Sequence, residues 1–204
     1  MAQTHDRRLD EEVAQHREPS DEIDPIFPNR WSPRAMTGES LPESEFRPLF
    51  EAARWAPSAF NNQHWRFVYA TREDDEFGTF LDLLNEHNRS WADDAAVLVA
   101  IFSKRTLDHN DEPAATRSFD TGAAWQNLAL EGTRRGLAVH PLAGFDWESV
   151  HDALDVPEAE FDAEAMVAIG ERADPETLPE DLRDREEPSG RKPLSEIVFE
   201  GSFE

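Results

Sequence analysis

Cysteine is absent from the 204 residues, which excludes disulfides, thiolate metal sites and a cysteine nucleophile. Lysine is nearly absent too: only Lys104 and Lys192 occur among 20 basic residues, set against 44 acidic ones. The resulting formal charge of -24 repels nucleic acid and anionic membrane surfaces, so polyanions are poor candidate partners. Lysine depletion beside abundant Asp and Glu fits adaptation to high salt, where screening removes most of the self-repulsion. An acidic protein without that adaptation would leave the depletion unexplained. Apolar stretches are short, and none approaches the length of a membrane span. The start, from Met1 to Arg8, has no apolar segment behind it, so a soluble, cytoplasmic protein is expected. There is no Gly-rich dinucleotide fingerprint, no P-loop, no His-x-x-x-His or carboxylate cluster at metal spacing, and no Gly-x-Ser-x-Gly frame around Ser58. His87, His140 and His151 are scattered and read as structural or exposed.

The length suits one sizeable domain or two small ones. Residues 1–24 are charged and nearly free of large apolar groups, the composition of a mobile or surface-wrapping arm, with residues 25–204 forming the domain. Arg30, Ser32 and Arg34 then sit close together in a proline-punctuated segment. Forked, permanently charged guanidiniums beside a hydroxyl suit a phosphate, although pairing with neighbouring carboxylates is the blander alternative. Ser40 and Glu43 have capping-box spacing ahead of Phe46, Leu49, Phe50 and Ala53, which recur on one helical face. Pro48 inside that pattern predicts a later start or a bend. The helix ends at a loop, residues 57–64, that is rich in hydrogen-bonding groups and framed by Trp55 and Trp65. Such a loop either presents donors and acceptors to a flat, polar-edged ligand or merely satisfies its own backbone.

Residues 67–70 read as a first strand and residues 76–85 as a second helix closed by residues 88–91. Residues 95–102 are continuously apolar without caps, which predicts a strand buried on both faces at the centre of a sheet. A polar loop spans residues 104–117. A long helix follows, capped by Asp120 or Thr121, packed closely through Gly122, Ala123 and Ala124, and ended by Arg134, Arg135 and Gly136. Residues 137–139 read as a short strand running into a turn from His140 to Phe145, where Gly144 permits close approach. A short helix over residues 147–154, a strand over 165–170 and a surface loop over 171–190 complete the body. Ile197, Val198 and Phe199 are strand-like and need a sheet edge, their own or a partner's.

Three separated pieces fit one pattern. The segment from Arg30 to Arg34, the loop from Pro57 to Trp65, and the Pro141, Leu142, Ala143, Gly144 turn with the late Arg191, Lys192 and Pro193 together resemble the nitroreductase family of FMN-dependent flavoproteins. The resemblance runs from Phe27 to the C-terminus. It implies an α+β fold with a mixed, mainly antiparallel central sheet flanked by helices, built as an intertwined homodimer with two FMN sites at the interface. The C-terminal extension would then embrace the partner.

Carried over residue by residue, the resemblance places Arg30, Ser32, Arg34 and Arg191 on the FMN phosphate and ribityl chain, with Trp31 contributing through its backbone. Pro57, Ser58, Ala59 and Asn61 match a loop that reaches the partner's flavin. Asn88, or His87 if the alignment slips, matches a ribityl or phosphate contact. Pro141, Leu142, Ala143 and Gly144 match the segment behind the isoalloxazine ring, whose amides meet N5 and O4. Fixed amide donors tune the flavin, so no catalytic side chain and no metal is implied. The implied activity is ping-pong hydride transfer from NADH or NADPH to a small nitroaromatic, quinone or similar acceptor. A specialised flavoprotein such as a dehalogenase or flavin-consuming enzyme, or a non-catalytic flavin-binding dimer, would share the same contacts. Two departures stand out: His64 replaces the family's usual proline, and Ala143 stands where some members carry glutamate.

Overall fold

The computed structural model describes residues 8–203; the first seven residues of the expected arm and Glu204 lie outside them. The chain runs α1 (Glu11–Ala14), α2 (Ile26–Asn29), α3 (Glu43–Arg54), β1 (Trp65–Thr71), α4 (Phe77–Leu83), α5 (Glu86–Ala92), β2 (Val97–Lys104), α6 (Arg117–Arg134), β3 (Leu137–Leu142), α7 (Val150–Ala153), β4 (Phe161–Glu171) and α8 (Glu180–Arg183). Short 3-10 turns lie at Ala59–Asn61, Pro175–Thr177 and Leu194–Glu196. The four strands form one sheet in the order β1-β2-β4-β3. All three pairings within the chain are antiparallel. Among the described residues, no helix is long and apolar enough to cross a membrane.

The apolar run over residues 95–102 is the sheet's second strand and is buried on both faces, as its unbroken hydrophobicity demands. Alternate side chains separate into two cores. Leu98, Ala100 and Phe102 point to the layer of α4 and α5, with Phe80, Leu84 and Trp91. Val97, Val99 and Ile101 point to the layer of α3 and α6, with Leu49, Ala53 and Leu128. Between Ile101 and Phe102 the register with β4 shifts, so that Ala165 and Ala163 face consecutive β2 residues and Glu164 is left over as the bulge. The Glu164 carboxylate accepts hydrogen bonds from Ser103 Oγ at 2.5 Å and Ser118 Oγ at 2.7 Å, tying the bulge to the first turn of α6.

Several boundaries differ from the sequence expectation for identifiable reasons. Helix α3 begins at Glu43 with Pro42 as its cap and keeps Pro48 inside, so Ser40 caps nothing. The second helical pattern divides in two, because Asn85 turns extended and its side chain caps α5 by accepting from Asn88 N–H at 2.9 Å. Helix α6 starts at Arg117, ahead of both expected caps; Asp120 and Thr121 are buried inside its first turn and a half. Gly122 meets nothing within 4 Å, and the close approach occurs instead at Gly132, where an added Cβ would lie 2.3 Å from Val139 Cγ2 and 3.4 Å from Leu49 Cδ2. Strand β3 continues through Pro141 to Leu142, which an edge strand tolerates because the missing N–H need not serve a ladder. The segment expected as plain surface loop, residues 171–190, makes two helical turns that bury Leu178 and Leu182. Trp55 does not cover the loop's shoulder; it is 72% exposed, whereas Trp65 is 7% exposed.

The N-terminal residues that are described also join the body. Val13 is fully buried, and Glu12 pairs with Arg172 while accepting from Trp31 Nε1 at 3.3 Å. Residues 194–203 do not form a strand in the chain; Leu194, Ile197, Val198, Phe199 and Phe203 are exposed.

Gly132→Ala should lower stability by about 1–2 kcal/mol. The crowding against β-branched Val139 exceeds the ~1 kcal/mol of helix propensity gained. Denaturant unfolding of the single variant and of Gly132→Ala with Val139→Ala checks this, the second change recovering part of the loss.

Candidate functional site

Two segments far apart in sequence meet at the end of β3. His140 Nδ1 donates to the Pro33 carbonyl at 3.2 Å, joining the strand that leads into the Pro141 to Gly144 turn to the segment carrying Arg30, Ser32 and Arg34. The imidazole also lies against Trp91, with ring centroids 4.6 Å apart. Burial, and then the guanidinium of Arg34, push the His140 pKa down from 6.5 to about 4, so the ring is neutral near pH 7. With its Nδ1 proton committed to Pro33, this histidine positions backbone.

Beyond that junction the turn is held on its carbonyl side. Gly144 O accepts from Asn85 N–H and from Asn88 Nδ2, both at 3.0 Å, and Ala143 O accepts from Trp147 Nε1 at 3.1 Å. The Ala143 and Gly144 N–H groups have no acceptor among the described residues. A side chain at 144 would displace the two asparagine amides that hold the turn, since a Cβ there would sit 2.3 Å from Asn85 Nδ2 and 2.6 Å from Asn88 Nδ2. Asn88, and not the exposed His87, is therefore the residue brought to the turn. Pro141 is half-buried, and Leu142 gives its side chain to the core.

On the other side of His140 the arginines differ in their partners. Arg34 pairs with Glu186 at 3.3 Å, and the same buried carboxylate accepts the Arg34 and Ala35 N–H groups at 2.6 and 2.9 Å. Its charge is thus compensated within the chain, as the blander sequence alternative has it. Arg30 is different: its Nη1 reaches Ser32 Oγ at 3.3 Å, and burial and the nearby charge of Arg191 lower its pKa. Arg191 is exposed and, among the described residues, bonded only to Ser189 and Gly190. A third guanidinium, from Arg17, joins them; burial and the charges of Arg191 and Arg30 push its pKa down to about 10. None of these three arginines forms an ion pair with a carboxylate among the described residues. In a chain of net charge -24, uncompensated positive charge concentrated at one place is an anion-binding feature. Trp31 is buried, with Arg172 over its ring at 5.0 Å, so it has only backbone to offer.

The loop from Pro57 to His64 stands apart. Phe60, Asn61 and Gln63 adopt left-handed φ values of 54°, 54° and 50°, a strained set for residues other than glycine, costing on the order of 1 kcal/mol or more each. Local bonds hold it. Asp120 Oδ2 accepts from Ala59 N–H at 2.9 Å, Asn62 Oδ1 accepts from Asp108 N–H at 2.7 Å, and Ser58 Oγ accepts from Gln63 N–H at 3.0 Å. His64 is fully buried, with Nδ1 within 3.2 Å of Lys104 O and 3.0 Å of Asn62 Nδ2. Its Nε2 has no hydrogen-bond partner among the described residues and faces Asp120 Oδ2 at 3.7 Å. Pro57, Phe60 and Asn61 are left exposed. No hydrogen bond or ion pair joins this loop to the Arg30 to Arg34 segment or to the 141–144 turn among the described residues.

Of the residues expected at the site, Arg30 and Ser32 meet the strand leading to Ala143 and Gly144 through His140, Asn88 holds Gly144 O and Arg191 lies near Arg30, while Pro57, Ser58, Ala59 and Asn61 make no hydrogen bond or ion pair to them among the described residues. Sequence reasoning missed Arg17, Glu186 and the positioning roles of Asp120 and His140. In so acidic a chain nothing marks Glu186 from the other carboxylates, and Asp120, expected as a helix cap, instead accepts from the loop at Ala59 N–H.

The chain is thus an α+β protein with a cationic cluster and an amide-lined turn joined at β3. More narrowly, the chain belongs to the nitroreductase family, whose profile matches residues 28–90 and 69–171. A crystal structure described as an oxidoreductase containing FMN is similar, with TM-score 0.88 and 42% identity over 92% of this chain and 96% of that one. Among curated proteins, an uncharacterized 15.4 kDa protein of Mycolicibacterium smegmatis is 34% identical over 66% of this chain and 88% of its own length. Protein DrgA of Synechocystis is 27% identical over 87% of this chain and 95% of its own. The fold is nitroreductase-like, as the sequence resemblance implies.

The neutral state of His140 gives a pH test. Its folded pKa lies below the unfolded value, so its contribution is complete above pH 6.5 and is lost as pH falls from 6.5 toward about 4. The loss is on the order of 3 kcal/mol. Unfolding free energies of wild type and His140→Phe should converge over that window as wild type weakens, while parallel curves would contradict the assignment.

Proposed function

We propose that the protein is an FMN-dependent NAD(P)H oxidoreductase that works as a homodimer on nitroaromatics, quinones or similar electron-poor acceptors. The observation that carries this reading is the uncompensated guanidinium cluster of Arg30 and Arg191, joined through His140 to a turn with two free amides. A phosphate and a ring edge with acceptor atoms are the two ends of FMN, and the residues present fit both. The similar FMN-containing oxidoreductase supports the cofactor, and family membership supports the reaction class.

When bound, FMN supplies two-electron transfer between a nicotinamide donor and the acceptor. Arg30, Ser32 and Arg191 hold the phosphate and ribityl chain, Arg34 adds its remaining donors while Glu186 keeps it in place, and Trp31 contributes backbone. The Ala143 and Gly144 amides donate to the ring, where they stabilise negative charge without being consumed. Pro141 and Leu142 set the turn's direction, and Asn88 fixes it through Gly144 O. No side-chain acid or base is needed.

The loop of Pro57, Ser58, Ala59 and Asn61 walls the partner's flavin, which accounts for its lack of contact with the cationic segment of its own chain. In this arrangement, residues 25–204 are one flavin-binding unit whose C-terminal segment lies over the partner. Its exposed Leu194, Ile197, Val198, Phe199 and Phe203 then find the cover they lack in a single chain. An acidic, lysine-poor exterior supports a salt-adapted cytoplasmic enzyme.

Protein purified in high salt should carry visible flavin absorbance or take up added FMN, and NADH or NADPH should bleach it anaerobically. A colourless protein that takes up no FMN would falsify the reading. Bleaching without turnover of nitro or quinone acceptors would favour a specialised flavoprotein of the same fold, such as a dehalogenase or flavin-consuming enzyme. Arg30→Ala should weaken FMN binding by about 10- to 100-fold, the worth of a charge-assisted contact.

Truncation after Pro193 should shift the protein from dimer to monomer in light scattering and reduce FMN retention. A dimer with full flavin after truncation would remove the C-terminal segment from the interface.

A further inference from the structure

The N-terminal arm contains a residue that lies outside the family match, which begins at residue 28, yet reaches into the cationic cluster. Arg17 Nη1 donates to Pro28 O at 2.5 Å and to Arg30 O at 2.9 Å, and Arg17 Nε donates to Ser189 O at 2.8 Å. One guanidinium therefore bridges the chain on either side of Arg30 to the chain two residues before Arg191. No other side chain of the described residues hydrogen-bonds to both segments. Burial first, and then the charge of Arg191, lower the pKa of Arg17 and of Arg30, and three like charges this near one another would separate if free to do so. Here the bonds to the three backbone carbonyls oppose that separation.

We propose that Arg17 is a positioning residue for the phosphate site: it fixes the spacing of the Arg30 and Arg191 segments and adds a third positive charge toward a phosphate monoester. The proposal rests on the flavin reading for the identity of that monoester. The planar fork is what suits the task, because it donates in two directions at once, whereas an ammonium is a point charge on a flexible stem. In the absence of an anion the cluster is strained by its own repulsion. A dianionic phosphate removes that repulsion, so Arg17 adds affinity for the phosphate without touching the ring end of the ligand.

The discriminating experiment compares FMN with riboflavin, which lacks the phosphate, by titration of flavin fluorescence against wild type, Arg17→Met and Arg17→Lys. Arg17→Met should weaken FMN by about 10- to 100-fold and change riboflavin by no more than about 2-fold. Arg17→Lys should fall between Met and wild type, since it restores charge without the two-direction fork. Equal weakening of both flavins in the Met variant, unchanged FMN affinity in that variant, or full wild-type affinity in the Lys variant would each overturn the proposal. The Lys variant keeps the test open if Arg17→Met does not fold. Wild-type protein that binds neither flavin is a distinct result that overturns the flavin reading. In that case, inorganic phosphate raising the thermal unfolding midpoint of wild type but not of the Arg17 variants still supports Arg17 at an anion site, and equal shifts in all three overturn it.

Discussion

Strand β2 has no polar face, and that constraint organises the rest of the molecule. A strand with every residue from Val97 to Ser103 buried must be flanked by strands on both edges and covered on both faces. The flanking strands β1 and β4 satisfy the edges. The layers of α3 with α6, and of α4 with α5, satisfy the faces. The amide-lined turn is placed by what the strands must do at their ends: β3 leaves the sheet after Leu142, and the backbone amides just beyond it are no longer needed by a ladder. The apolar demand of one segment thereby leaves donors free in another.

Legibility followed the range of the interaction concerned. The unbroken apolar run of β2 announces its own environment, and the apolar faces of α3 and α6 follow from spacing. Signals that depend on a distant partner were silent. Gly132 needs its missing side chain only because Val139 lies against it, while Gly122, in a more suggestive Gly-Ala-Ala run, approaches nothing. Arg34 and Arg30 are two of a kind in the sequence, but buried Glu186, 152 residues away from Arg34, makes one a paired cation and leaves the other uncompensated. Resemblance to the family supplied the grouping of the site, because four weak motifs in order constrain one another. It could not supply Arg17, which precedes the matched region.

The cationic segment with its turn and the Pro57 to His64 loop are held in different ways. Around His140, contacts run between separate elements and tie the cationic segment and the turn to the sheet. The Pro57 to His64 loop is instead cross-braced to residues 104–120, through Asp120, Asn62 and the buried imidazole of His64, with Arg66 Nη1 donating to Gln63 O. The His64 ring lies fully buried with Nδ1 within 3.2 Å of the Lys104 carbonyl. The left-handed geometry at three neighbouring residues is maintained by those braces, and the polar segment over residues 105–116 thereby becomes part of the loop's support.

The carbonyls of Ala143 and Gly144 are each held by donors from elsewhere in the fold. The Ala143 oxygen shares its peptide plane with the Gly144 N–H, so that plane cannot rotate to exchange its N–H for its C=O, while the plane of the Ala143 N–H carries Leu142 O and is set by the pairing at the end of β3. The turn therefore behaves as a fixed dipole whose orientational entropy is spent during folding, before any ligand arrives. A group that gains electron density beside it meets donors already aligned, and a group that loses density cannot summon an acceptor from the same peptides. A ligand ring placed beside these amides would accordingly be favoured in its electron-rich form, because the donors are set before it arrives.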